Sequence, residues 1–345
     1  MKVGIVTVYN SMNCGSFLQA YALWRTLEEQ GHEAVCIHHN FPDHSIHPTR
    51  YGKKVLKAAM RGRFAVAKRL VRSRKIFQQA LKLLRVEKNS GDIACYVLGS
   101  DTIWDLSIPF FRNHREFFWG TAFDNARVIS YAPSMGYARQ VEAGDREFVS
   151  GALNRMDAVS VRDQYARELL QPYYSQPIPE VCDPTILLRP SEYGKIAKPL
   201  DMENFIFLYC YGTLTQSYVQ ELRAYANQKG LKIVSMGSQN PWCDVCLPYD
   251  PLLFLSLYEK AEAIVTNTFH GTVFSNIYEK KFLVIKNEKP KVIDFLKLCR
   301  MSDKMSEAPE DVHKILNSQF HYDVTREILK KEREAGIDYL MKGLE

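Results

Sequence analysis

Short apolar runs rich in β-branched residues alternate along this chain with longer segments of helical period, and most of the runs empty into loops of Gly, Ser, Thr, Asn or Asp. Continuous apolar runs suit strands buried on both faces, and each parallel strand needs a crossover helix before the next can pair beside it. Residues 3–8 read as a first strand, 16–30 as a helix closed by Gly31, and 34–38 as a second strand. Residues 94–98, 128–131 and 158–161 supply further strands of a domain expected to span 1–190. The Pro- and Gly-bearing stretch 188–201 reads as connection. A second domain, 191–320, follows with strands at 205–211, 232–236, 263–266 and 282–285, and residues 321–345 read as a terminal helix returning to the first domain. The fold class expected is α/β with two Rossmann-like domains, in which ligands bind beyond the carboxyl ends of the strands.

The net charge of +6 conceals a strong asymmetry. Between residues 50 and 88 there are fourteen Lys/Arg and one acid, Glu87, a local excess of +13 that leaves −7 on the rest of the chain. Val55, Leu56, Ala59, Met60, Phe64, Ala67, Leu70 and Val71 recur at mostly helical spacing in the same segment, which predicts one or two amphipathic helices broken near Gly62. Such an insertion suits an anionic membrane surface, or else is a solvated basic face whose apolar stripe packs on the first domain. Nucleic acid is disfavoured because no recognised binding motif accompanies the charge. No window has the ~18 apolar residues of a membrane span, and the first strand is too short for a signal peptide. The eight cysteines lie partly inside apolar runs and suggest no disulfide framework. The expected location is the cytoplasm, at the inner face of the cell membrane; no oligomeric state is implied.

Four strand-exit loops have residues suited to chemistry. Tyr9 to Ser16 offers Asn side chains and a helix start, or simply a turn and cap. Gly99-Ser100-Asp101-Thr102-Ile103-Trp104 offers a tight turn and a carboxylate, with Trp104 expected to be buried. Ser130 to Gly136 is small and hydroxylated. Thr266-Asn267-Thr268-Phe269-His270-Gly271-Thr272 puts a histidine where a strand ends and a helix begins. An imidazole there can pass protons near neutrality, and the helix dipole attracts an anion beside it. Trp242-Cys243-Asp244-Val245-Cys246 imitates a redox motif, but no second Cys pair or His pair completes a metal set. His38, His39, His44 and His47 read as a polar loop.

Six segments in order then resemble a known family, the polysaccharide pyruvyl transferases, over about residues 3–286. They are Asn13-Cys14-Gly15-Ser16-Phe17-Leu18-Gln19, Val97 to Trp104, Ile129-Ser130-Tyr131-Ala132, Ala158 to Asp163, Asp183-Pro184-Thr185 and Thr266 to Thr272. The resemblance implies a GT-B-like fold and transfer of pyruvate from phosphoenolpyruvate to two hydroxyls of a hexose, forming a cyclic ketal on a polyprenyl-diphosphate-linked glycan. It implies phosphoenolpyruvate as co-substrate and neither cofactor nor metal. His270 matches the family's functional histidine. Arg162, Asn267, Thr268, Gly271 and Lys286 are the expected donor-binding set, although Arg162 also suits a structural ion pair; Asn13, Gln19, Asp101 and Ser134 are the acceptor-binding set. Thr268 departs from an arginine found two residues before the histidine in better-understood members, and Lys286 or Lys289 is expected to supply that charge. A glycosyltransferase using a nucleotide sugar and a non-catalytic scaffold of glycan assembly are the competing readings.

Overall fold

The computed structural model describes residues 1–39, 41, 48–88, 91–124, 126–237, 240–286 and 290–345. Strands β1 (Lys2–Val6), β2 (Glu33–Ile37), β3 (Val86–Glu87), β4 (Cys95–Leu98) and β5 (Arg127–Ser130) form a parallel sheet ordered β3-β2-β1-β4-β5. A second parallel sheet contains β6 (Phe205–Tyr209), β7 (Lys232–Met236), β8 (Val245–Leu247), β9 (Ala263–Thr266), β10 (Lys281–Ile285) and β11 (Met305–Ser306), ordered β11-β10-β9-β6-β7-β8. The central strands are buried along nearly their whole length, as parallel strands covered on both faces must be.

The predicted strand at 158–161 is not continuous. It makes only isolated bridges, Ile129 to Ala158 and Val161 to Glu180. Here the Ser130 hydroxyl accepts from the Ser160 amide and donates to the Ser160 carbonyl, so side-chain bonds replace part of a ladder. Edge strands β3, β8 and β11, two or three residues each, are too short to leave a periodicity in the sequence.

Helix α1 (Cys14–Glu29) is capped by Asn13, whose side chain accepts from the Gly15 and Ser16 amides. Twelve of its sixteen residues are buried because it touches the first sheet on one side and the second half on the other. Cys14 Sγ lies 3.5 Å from Met236 Sδ, and Phe17, Tyr21, Phe207 and Phe254 belong to one apolar cluster running through both halves. The basic segment folds as α2 (Pro48–Met60) and α3 (Phe64–Ala80), reversing at Gly62, where φ is +67°. Tyr51 donates to the Leu70 carbonyl across this hairpin, and the Ser73 hydroxyl accepts from the Tyr249 amide of the second half. The last helix, Asp323–Leu344, lies on the first half: Tyr339 donates to the Ser130 carbonyl, and Arg333 to that of Ile186. A Cβ added at Gly336 would stand 2.6 Å from the Tyr131 hydroxyl.

Candidate active site

Each sheet reverses its strand order once, between β1 and β4 in the first and between β6 and β9 in the second, and loops leaving such strands open the crevice where doubly wound folds bind ligands. The two reversal points are stapled in the same way. In the first, Gln19 accepts from the Ser100 amide and donates to Thr7 Oγ1 and the Ser16 carbonyl. In the second, Asn267 accepts from the Tyr211 amide and donates to the Tyr211 carbonyl. These side chains tie one loop to its neighbour. Gln19 is fully buried with both ends of its amide occupied, which leaves it nothing to offer an acceptor, and the Asn267 amide holds the Tyr211 backbone.

The Thr266–Thr272 loop is shaped by its hydroxyls. Thr268 caps the Phe269–Ile277 helix by accepting from the Gly271 amide, and its hydroxyl meets that of Thr266 at 3.0 Å. A Cβ at Gly271 would stand 2.0 Å from Thr266 Oγ1, so only glycine fits there. Thr268 and Gly271 thus shape the loop that presents His270. The imidazole is pressed from the other half by α1: a Cβ at Gly15 would fall 2.3 Å from the ring.

Behind His270 lies a buried charge cluster. Arg162, its side chain only 1% exposed, donates from Nη1 to Asp183 Oδ2 at 2.9 Å and lies with Cζ 4.4 Å from the centre of the Phe269 ring. Among the described residues its Nε and Nη2 have no hydrogen-bond partner, Nε standing 3.9 Å from Asp163 Oδ2. The same Asp183 oxygen stands 3.6 Å from His270 Nε2, which among the described residues has no hydrogen-bond partner. Asp183 Oδ1 accepts from the Thr185 amide and hydroxyl. Burial pushes the Asp183 carboxyl upward, but the neighbouring His270 and Arg162 and the Thr185 hydroxyl outweigh it and hold the group well below the usual carboxylate range.

In front, Asp101 Oδ2 accepts from Ser16 Oγ at 2.5 Å and Oδ1 accepts from Thr102. Burial opposes its charge, yet His270, Arg162, Lys291 and Ser16 bring its pKa down to about 2. Asp101 sits at φ +72° and Ala132 at φ +52°, a conformation disfavoured for side-chain-bearing residues and often found at binding sites. Two cavities meet at Phe269 and Lys291. One, of about 150 Å³, is lined by Asn13, Asp101, Thr102, Tyr137, Tyr209, Tyr211, Thr268 and His270; the other, of about 170 Å³, by Arg162, Asp163, Glu180, Asp183, Asp294 and Glu332 among others.

Of the expected ligands, Asn13, Asp101, Arg162, Thr268 and His270 converge on this crevice. Ser134 does not: it is buried, with its hydroxyl accepting from the Gly136 amide. Lys286 is paired with Glu307 on the exposed side of β10 and lines neither cavity. Lys289, like His44 and His47, lies outside the described residues. The lysine at the crevice is Lys291, in the first turn of the Pro290–Leu298 helix, with Nζ 3.3 Å from Thr102 Oγ1 and 5.8 Å from the Phe269 ring centre. Sequence reasoning missed it because a lysine opening a terminal helix carries no motif. Asp183 was visible only as part of a resemblance, with no role attached. Trp104 is fully buried against Trp119. Cys243 is buried, its thiol pushed up to about 12, which removes the thiolate character a redox motif needs. Among the described residues no group of three metal-ligating side chains is found.

A model of the polysaccharide pyruvyl transferase family matches residues 13–289. The chain belongs to this family. No curated protein matches it. Among solved structures it is similar to UDP-GlcNAc 2-epimerase from Methanocaldococcus jannaschii (TM-score 0.52, 11% identity, 99% of this chain and 100% of that one). It is also similar to Arabidopsis thaliana UGT89C1 complexed with UDP-L-rhamnose (0.50, 12%, 99% and 96%) and to UDP-N-acetylglucosamine 2-epimerase from Rickettsia bellii (0.51, 11%, 99% and 98%). At such identities the likeness concerns the fold alone: this pyruvyl transferase relative has the two-sheet, GT-B-like architecture.

Proposed function

We propose that the protein transfers pyruvate from phosphoenolpyruvate to two hydroxyls of a hexose in a glycan. The observation that carries the reading is the convergence of Arg162, Lys291 and His270, all three cationic or able to become so, on one crevice of a chain in this family. The donor brings a carboxylate and a phosphate; the unspent Nε–H and Nη2–H of Arg162 and the ammonium of Lys291 are donors for them. Two new C–O bonds form between the sugar oxygens and the donor's central carbon, and its bond to the phosphate oxygen breaks. One hydroxyl proton ends on the methylene, making it a methyl group, and the other leaves with phosphate. His270 Nε2, held near Asp183, is the group we assign to these proton transfers, and the ionised Asp101 orients an acceptor hydroxyl.

The reading predicts phosphate release from phosphoenolpyruvate only when an acceptor is present, and an acceptor mass gain of one pyruvyl ketal. In His270→Ala that release falls by about 10²–10⁴. Stabilisation by UDP-sugars with none by phosphoenolpyruvate would instead establish the nucleotide-sugar reading, and acceptor-independent inertness toward both would favour a scaffold.

For a partner we propose an anionic bilayer. Met60 and Phe64, at the tip of the α2–α3 hairpin, are 79% and 70% exposed, and the hairpin carries Lys53, Lys54, Lys57, Arg61, Arg63 and Lys68 around them. No helix among the described residues is long and apolar enough to cross a membrane, so contact would be peripheral. Co-sedimentation with phosphatidylglycerol vesicles that weakens with salt supports this; equal binding to neutral vesicles rejects it.

A further inference from the structure

Of the cavity of about 170 Å³, only the end formed by Arg162, Asp183 and Lys291 enters the chemistry assigned above. The rest lies where three parts of the chain meet. Asp163 and Glu180 come from the first half, Asp294 from the Pro290–Leu298 helix of the second, and Glu332 from the last helix. Among the described residues the lining includes five carboxylates, these four and Asp183, against the two cations Arg162 and Lys291. Val181, Ile186, Phe295 and Leu298 add an apolar wall, and Leu298 is 39% exposed, which brings that wall to the surface.

Three of these carboxylates keep acceptor capacity in hand. Asp163 is 6% exposed; its Oδ1 accepts from the Ala166 amide, whereas its Oδ2 has no hydrogen-bond partner among the described residues and stands 3.9 Å from Arg162 Nε. Asp294 and Glu332 make neither an ion pair nor a side-chain hydrogen bond among the described residues. Glu180 pairs with Arg167 at 3.0 Å. Burial, and after it the neighbouring acids, push the carboxyls of Glu180, Asp294 and Glu332 above their ordinary values, and Arg167 beside Glu180 and Lys297 beside Asp294 offset only part of this. A half-buried wall of like charges costs free energy until a cation enters it.

The arrangement selects the kind of cation. Among the described residues no three of these acids converge closely enough to ligate a metal ion; they are spread around the wall with apolar side chains between them. A ligand that matches has its positive charges apart and joins them by an aliphatic stem. Ammonium ends supply three N–H donors each to the carboxylates, and the methylenes are covered by Val181, Ile186 and Phe295. We propose that this cavity is a binding site for an aliphatic diamine or polyamine, held by Asp163, Asp294 and Glu332. A cation there stands beside Arg162 and offsets the carboxylates that oppose an anionic donor, so the two ligands raise each other's affinity. This coupling rests on the reading of the crevice as a phosphoenolpyruvate site; the diamine site itself does not.

Titration calorimetry of the intact protein with putrescine tests the site without donor or turnover. Putrescine should bind, and Asp294→Asn and Glu332→Gln should each weaken it at least about tenfold. Without ligand, both variants should unfold at the same or a higher denaturant midpoint than the unmodified protein, because each removes a carboxylate that neighbouring acids repel, so weaker binding cannot come from a lost fold. Butane-1,4-diol, with the same stem and no charge, should not bind. No binding of putrescine, binding indifferent to both substitutions, diol binding as tightly, or magnesium ion binding more tightly than putrescine would overturn the proposal. With putrescine present, phosphoenolpyruvate should bind at least about fivefold more tightly. An unchanged phosphoenolpyruvate affinity would overturn the coupling, whereas no phosphoenolpyruvate binding under either condition would reject the crevice reading and the coupling with it, but not the diamine site.

Discussion

The crevice and the basic hairpin use charge in opposite ways. Around His270, the buried carboxylates are locked by partners: Asp183 by Arg162 and Thr185, Asp101 by Ser16 and Thr102. On the hairpin, cations stand in excess with almost no acids, and large apolar side chains face solvent. A site that moves protons needs groups held in place before substrate arrives, and the low local dielectric makes each partner count. A surface that recruits a partner needs interactions left unspent, and it retains them because exposed charges are inexpensive to leave unpaired.

Substitutions should separate the two regions by what they damage. Arg162→Met leaves Asp183 buried without its guanidinium and should destabilise the fold by about 3–5 kcal/mol, read as a lower denaturant midpoint; an unchanged midpoint would show the cluster to be functional rather than structural. Asp101 gives a pH signature. Its folded pKa of about 2 lies below the ordinary 3.8, so the stability it contributes is present above about pH 4 and lost as pH falls toward 2. That stability amounts to about 2 kcal/mol, and Asp101→Asn should flatten this acid limb of the unfolding profile. Gly15→Ala drives a methyl into the His270 ring; overpacking of this kind costs about 1–3 kcal/mol, and turnover should fall further than stability because the imidazole itself is displaced. Phe64→Ser should leave stability within about 0.5 kcal/mol while abolishing vesicle sedimentation. If Phe64→Ser unfolds the protein, the hairpin is part of the core and the contrast fails.

What the sequence makes legible follows from which physics is local. β7 and β9 are read at their true limits because apolar β-branched runs between turn residues have few other uses. The hairpin break at Gly62 is legible for the same reason, a glycine interrupting a helical period. At the crevice, His270 stands out because a strand, a histidine, a glycine and a helix follow in seven residues. Gln19 and Asn267 mislead because an amide that binds sugar and an amide that staples two loops are the same residue until their partners are known. Lys291 and Asp183 reach the site through long-range packing, and no local pattern records where a helix or a capping aspartate will dock.

The return of the last helix to the first half also bears on how the chain is made. Residues near Ile129, Tyr131 and Cys182 are synthesised well before the helix that covers them through Gly336 and Gly343, with the whole second sheet in between. The first sheet can assemble while the second is still being translated. The patch around Ile129 and Tyr131, however, is covered only once Asp323–Leu344 has docked, so the two halves are joined by a contact of long sequence separation that local structure cannot form early.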